Sequence, residues 1–75
     1  MEIEVRLFAT LREGRWKKNT MSFSTSSVTP KVIAEQLQID EGDIAILLVN
    51  GRDGSLNTEL SDGDVVSIFP PVGGG

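Results

Sequence analysis

Residues 62–75 read DGDVVSIFPPVGGG, and this stretch decides the fold. Asp62-Gly63 is a turn signal, and the alternating apolar residues that follow predict a strand over residues 64–69. Pro70-Pro71 stops the strand, because proline cannot donate a hydrogen bond to a sheet ladder. Val66 and Ile68 share one face of this strand, which leaves Phe69 on the other.

The other end of the sequence predicts a matching strand. Residues 2–8 alternate in polarity, with Ile3, Val5 and Leu7 on one face and charged residues on the other. By the same parity Phe8 points away from the core, as Phe69 does. Two interpretations of these aromatics remain open: an exposed apolar patch beside the end of the last strand, or two partly shielded strand ends.

The residues between these strands complete an α+β pattern. Residues 20–25 alternate as a second strand, and a helix is predicted to begin at Pro30, with Thr29 as its N-cap. Residues 44–49 are continuously apolar, which predicts a central strand, and Asn50-Gly51 is a hairpin turn signal. We expect a mixed sheet of four to five strands with one helix packed across it, and the first and last strands adjacent and parallel in the middle.

The composition excludes several classes of function. The chain has 75 residues, enough for one small domain, and a formal net charge of −4. It contains neither cysteine nor histidine, which removes the usual nucleophile, general base and metal ligands. The acidic residues lack the spacing of a calcium loop, and the net negative charge disfavours nucleic-acid binding. We therefore expect a domain that is poorly equipped to act as an enzyme alone, and we expect it to bind neither metal nor nucleic acid.

The hydropathy of the sequence predicts its location. There is no pattern of a signal peptide, and no apolar stretch approaches the roughly 20 residues that cross a bilayer. A cytoplasmic protein without membrane contact is expected.

Three glycines, residues 73–75, predict a flexible tail. One interpretation is an inert tail. The other is a tail that threads into a partner's active site, because glycines have the narrowest profile and leave the terminal carboxylate unhindered. Residues 70–75 would reach about 20 Å when fully extended.

A basic cluster surrounds the single tryptophan. Arg12, Arg15, Lys17 and Lys18 flank Trp16, and such a combination occurs in nucleic-acid sites. In an acidic chain a solvated turn is the simpler interpretation, with complementarity to an acidic partner as the alternative.

Three segments resemble the MoaD/ThiS family of sulfur-carrier proteins: residues 7–13 (LFATLRE), 49–51 (VNG) and 60–75 (LSDGDVVSIFPPVGGG). With the helix after Pro30, the resemblance covers nearly the whole chain, and the last segment is its most specific part. It implies the β-grasp, ubiquitin-like fold, with a domain over residues 1–72 and a glycine tail over residues 73–75.

The resemblance implies a carrier protein. In the family an E1-like enzyme of the MoeB/ThiF type, using ATP and magnesium, adenylates the C-terminal glycine, which then becomes a thiocarboxylate and donates sulfur; the carrier binds no cofactor itself. By position, Gly75 would carry the sulfur and Gly74 would complete the required pair. The residues that match the family's partner-binding positions or lie beside them are Phe8, Phe69, Pro70, Pro71, Val72 and Gly73.

Residues 69–72 (FPPV) are more similar to the MoaD branch of the family than to the ThiS branch. That branch implies a larger partner subunit, of the MoaE type, with which the carrier forms molybdopterin synthase. The alternatives are a carrier for another pathway, such as thiamin thiazole or cysteine, a ubiquitin-like protein modifier, and an interaction domain with an inert tail.

Overall fold

The structure is a computed structural model, and it describes residues 1–71. One helix and five strands make up its regular elements, with short 3₁₀ turns at Ala9–Arg12 and Glu41–Asp43. In chain order the elements are β1 (Glu2–Leu7), β2 (Lys18–Ser22), α1 (Pro30–Leu37), β3 (Ile46–Val49), β4 (Arg52–Asp53) and β5 (Val65–Phe69).

The strands form a single mixed sheet in the order β2-β1-β5-β3-β4. β1 and β5 lie parallel and adjacent in the middle, as predicted, and the other pairs are antiparallel. Val5 is paired with Val66 and Leu7 with Ile68, and all four side chains are fully buried. Because buried and outward-facing residues alternate along β1 and β5, one face of the sheet packs into the core.

The helix α1 covers that core face. Ile33 and Ala34 are buried in the same cluster as the β1 and β5 side chains. Thr29 occupies the N-cap position with an extended backbone, as predicted, but its side chain makes no capping hydrogen bond. Pro30 at the start of the helix needs no hydrogen-bond acceptor, since it has no N–H to satisfy.

The strand predicted at residues 44–49 is present but shorter. β3 begins at Ile46 and is an interior strand of the sheet, between β5 and the two-residue β4. A continuous apolar run is typical of a strand buried on both faces. Here Leu47 is buried, whereas Ile46 is 51% exposed on the opposite face.

The second strand is also displaced from its prediction at residues 20–25. β2 spans Lys18–Ser22, and its bounds follow from pairing with β1, from Arg6 opposite Lys18 to Glu2 opposite Ser22. Edge strands of this kind bury little, and polarity therefore marks their ends poorly. Phe23 is buried just beyond the strand.

The Asn50-Gly51 turn is confirmed. Both residues have positive φ, 54° and 80°, which is the combination that a tight hairpin between β3 and β4 requires. The Asn50 side chain also links this turn to β5, because its Oδ1 accepts a hydrogen bond from the Val65 N–H at 2.9 Å.

Two further predictions concern membrane contact and the boundary between the domain and the tail. Within residues 1–71 no helix is long and apolar enough to cross a membrane. The boundary predicted between a domain over residues 1–72 and a tail over residues 73–75 lies outside the described residues.

Candidate functional site

Two aromatic side chains stack on the sheet face opposite the core. The rings of Phe8 and Phe69 have centroids 4.1 Å apart and planes inclined by 11°. Phe8 follows β1 with an extended backbone, and its N–H donates to the Ile68 carbonyl at 3.2 Å, which holds it beside the end of β5. Each ring is half-buried.

Ile46 extends this apolar surface. It lies directly opposite Phe69 in the β3–β5 pair, and among residues 1–71 it is the large hydrophobic residue that stands out as exposed. Pro70 and Pro71 continue from Phe69. We call Phe8, Ile46, Phe69, Pro70 and Pro71 the apolar patch. A groove of about 470 Å³ runs over the patch, lined by Phe8, Ala9, Thr10, Ile46, Phe69, Pro70 and Pro71.

The structure brings four of the predicted site residues together: Phe8, Phe69, Pro70 and Pro71. Their role in partner binding stays a prediction. The other predicted residues, Val72, Gly73, Gly74 and Gly75, lie outside the described residues.

Ile46 was missed by the sequence analysis. Its signal was present in the continuous apolar run at residues 44–49. In a sheet covered by one helix on one face, alternate residues of such a run must face outward. Leu47 is buried, so its neighbour Ile46 points to the open face.

The predicted basic cluster around Trp16 divides into two parts. Arg15 turns toward α1, where its Nη2 donates to the Leu37 carbonyl at 3.1 Å, and Trp16 packs partly buried against the core. Lys17 and Lys18 are exposed. The solvated-turn interpretation therefore does not extend to Arg15 or Trp16.

Arg12 is held against the apolar patch. Its Nε donates to the Leu7 carbonyl at 2.8 Å, and its guanidinium carbon lies 5.3 Å from the centroid of the Phe8 ring. At this distance the cation is attracted to the π face of the ring. One side of the apolar patch is thus bordered by a positive charge.

Acidic groups do not form a site of their own in the described part of the chain. Residues 1–71 hold no cluster of three or more potential metal ligands. Hydrogen bonds from the Ser61 N–H and the Asn50 amide lower the pKa of Asp64 below its ordinary value of 3.8. That carboxylate closes a turn, at the opposite end of β5 from Phe69.

Comparisons with known proteins agree with the fold described above. The sequence model of the ThiS family matches residues 5–75. The chain belongs to the ThiS family. It is 34% identical to small archaeal modifier protein 3 of Haloferax volcanii, with all of both chains covered.

Two solved structures resemble the ThiS-family chain. A putative molybdopterin converting factor subunit 1 from Pyrococcus furiosus superposes with a TM-score of 0.77 at 28% identity, covering 96% of this chain and 99% of that one. The complex of subunits 1 and 2 of the molybdopterin-converting factor from Helicobacter pylori 26695 gives a TM-score of 0.65 at 32% identity, with full coverage of both chains.

These likenesses confirm two predictions. The chain is a MoaD/ThiS-like protein, and its helix on a mixed five-stranded sheet is the ubiquitin-like β-grasp fold. The family consists of small sulfur carriers and ubiquitin-like modifiers rather than catalysts.

Proposed function

We propose that this ThiS-family chain is a sulfur carrier that donates the sulfur of a Gly75 thiocarboxylate in molybdopterin synthesis. The observation that carries the proposal is the apolar patch, with Phe8 stacked on Phe69 and Ile46 across from it. It surrounds the end of β5, from which the sequence continues through Pro70 and Pro71 to the glycines. A partner that docks on the patch therefore meets the segment that carries the sulfur.

The chemistry needs no catalytic side chain from the carrier. The Gly75 carboxylate attacks the α-phosphorus of ATP, and pyrophosphate leaves. A sulfide equivalent then attacks the acyl carbon and displaces AMP, which yields the thiocarboxylate. An E1-like enzyme of the MoeB/ThiF type supplies the site for ATP and magnesium. A chain without cysteine or histidine is suited to this division of labour.

We expect the patch to receive one partner at a time. A standard protein interface buries about 800 Å² on each side. That is about a sixth of the 4732 Å² surface of this chain, so one interface occupies most of one face. The activating enzyme and a sulfur acceptor of the MoaE type would therefore bind in turn, with the same aromatic residues as anchors.

The likeness to the Helicobacter pylori complex supports a MoaE-type acceptor, since its second component is subunit 2 of the molybdopterin-converting factor. The direct test starts from a Gly75 thiocarboxylate made by sulfide cleavage of an intein fusion. This chain is mixed with a MoaE-type subunit and the sulfur-free pterin precursor. We expect molybdopterin to form, and the unmodified carboxylate chain is the control. No product, with a known carrier active alongside, contradicts the proposed acceptor.

A second candidate, a ubiquitin-like modifier, is favoured by the 34% identity to a small archaeal modifier protein, with both chains covered in full. The two functions share the adenylate and then diverge, because a modifier passes its acyl group to a lysine amine. Expression of a tagged chain in its own host distinguishes them. A modifier gives a ladder of protein conjugates that disappears when Gly74 and Gly75 are deleted, whereas a carrier gives none.

A further inference from the structure

A second groove adjoins the apolar patch. It has a volume of about 440 Å³ and is lined by Arg6, Phe8, Arg12, Lys17 and Lys18. Phe8 lines both grooves, so the two surfaces are continuous. The other four lining residues are cationic, and we call this surface the basic groove.

The positive charge of the chain is concentrated here. Of its seven lysine and arginine residues, four line this groove, and no carboxylate is among the lining residues. The whole chain nevertheless carries a formal net charge of −4. The basic groove is therefore a local positive region on an acidic protein, an arrangement that directs binding by charge.

Most cations of the groove have no carboxylate partner within residues 1–71. Arg6 and Lys18 stand directly opposite each other across β1 and β2, and like charges in that position destabilise a strand pair. The side chain of Glu4 forms an ion pair with Arg6. Within residues 1–71, no carboxylate forms an ion pair with Arg12, Lys17 or Lys18.

Arg12 is already positioned to receive an acidic group. Its Nε bond to the Leu7 carbonyl and its place over the Phe8 ring fix the guanidinium. The terminal nitrogens donate to no other group among residues 1–71, which leaves them available for a carboxylate. A side chain held in advance loses less conformational entropy when a ligand binds.

We propose that the basic groove binds an acidic segment of the partner protein that docks on the apolar patch. Carboxylates of that segment pair with Arg12, Lys17 and Lys18, while an apolar side chain beside them packs on Phe8. The inference rests on the proposed function for the existence of such a partner and adds the chemistry of its contact surface. A polyanion such as nucleic acid fits less well, because the rest of the chain is acidic and would repel it.

The test uses the full chain, labelled with nitrogen-15, and a synthetic peptide of alternating glutamate and leucine. We expect amide shifts at Arg12, Lys17 and Lys18, and a Kd that rises about tenfold between 0.01 and 0.15 M salt, as the Debye length falls from about 30 to about 8 Å. The double variant Lys17→Gln/Lys18→Gln should weaken binding about tenfold. The matched control, Lys31→Gln/Arg52→Gln, removes two exposed cations elsewhere and should leave the Kd unchanged.

Several results would overturn the inference. They are equal binding of a peptide with glutamine in place of glutamate, equal weakening by the two double variants, no peptide binding at all, or tighter binding of an oligothymidylate than of the peptide. The experiment does not require the thiocarboxylate. A chain that binds the peptide but cannot be activated contradicts the proposed function alone, and a chain that is activated but ignores the peptide contradicts this inference alone.

Discussion

The stacked rings of Phe8 and Phe69 lie on the face of the sheet opposite α1, and each ring, in contact with the other, is half-buried. Their stacking does not contribute to the core, whose large side chains come from the inward positions of β1, β5 and α1. Ile46, opposite Phe69, has no such cover and is 51% exposed. At the scale of single residues, the open face is therefore separated from the groups that stabilise the fold.

Ile46→Ala tests this separation. The change should leave the free energy of unfolding within about 1 kcal/mol of wild type, because an exposed side chain loses little buried area. It should weaken binding to a MoaE-type subunit about tenfold, as truncation of an interface anchor does. Urea denaturation and calorimetric titration measure the two effects.

The matched variant for Ile46→Ala is Leu47→Ala, one residue along β3. Leu47 is buried, so its truncation should cost about 2–5 kcal/mol of stability. If Ile46→Ala destabilises the protein as much as Leu47→Ala does, Ile46 belongs to the core and the assignment of the open face is wrong.

Asp64 gives a prediction about acid stability. Hydrogen bonds from Ser61 and Asn50 lower its pKa below 3.8, so the folded state holds this group ionised more strongly than the unfolded state. The resulting stabilisation is fully present above the ordinary pKa and is lost as pH falls through the lowered one. The difference in unfolding free energy between wild type and Asp64→Asn should therefore be constant near neutral pH and shrink in acid. A difference that does not change with pH contradicts this role.

The short helix α1 depends on a contact from outside its own segment. Its C-terminus has carbonyls without helical partners, and the Arg15 guanidinium donates to those of Leu37, at 3.1 Å, and Gln38, at 3.4 Å. A cation at this end also interacts favourably with the helix dipole. Gln38 itself ends the helix with a φ of 58°.

Arg15→Met removes this interaction while retaining much of the apolar stem. We expect a loss of about 1–2 kcal/mol in the free energy of unfolding, and Arg15→Lys should recover part of it. Lys17→Met, in an exposed neighbour, is the control and should change stability by less than about 0.5 kcal/mol. Equal losses from Arg15→Met and Lys17→Met in urea denaturation would contradict the capping role.

The sequence predicted those elements whose signals are local. The alternation in residues 2–8 and 64–69, the proline at the start of α1 and the Asn50-Gly51 turn each specify a backbone conformation directly. The bounds of β2 could not be predicted, because an edge strand is defined by its pairing with β1. The positions of β3 and Arg15 depend on contacts between distant residues, which local periodicity does not encode.

Only part of the candidate site could be predicted from the sequence. Phe8 and Phe69 broke the polarity of their strands and could be recognised as outward-facing residues. The apolar run at residues 44–49 requires that alternate residues face outward but does not show which ones, so Ile46 could be assigned only from the register between β3 and β5. The basic groove could not be predicted as a surface, because it depends on the pairing of Arg6 with Lys18 and on the turn that brings Arg12 to Phe8.

At the scale of the whole molecule, the described part of the chain has three surfaces of different chemistry. The core face of the sheet is covered by α1, the opposite face bears the apolar patch, and the basic groove adjoins that patch at Phe8. Because the apolar patch and the basic groove are separate from the core, the proposed partners could dock on them without a rearrangement of the sheet.

The most direct test of the sulfur-carrier account is the intact mass of a chain ending at Gly75 after incubation with ATP, magnesium, a sulfide source and a MoeB-type activating enzyme. The account predicts replacement of one oxygen by one sulfur, localised to the C-terminal peptide, and no change in a variant that lacks Gly74 and Gly75. An unchanged mass for the full chain with each available E1-like enzyme of the MoeB/ThiF type, while a known carrier is converted alongside, would contradict it.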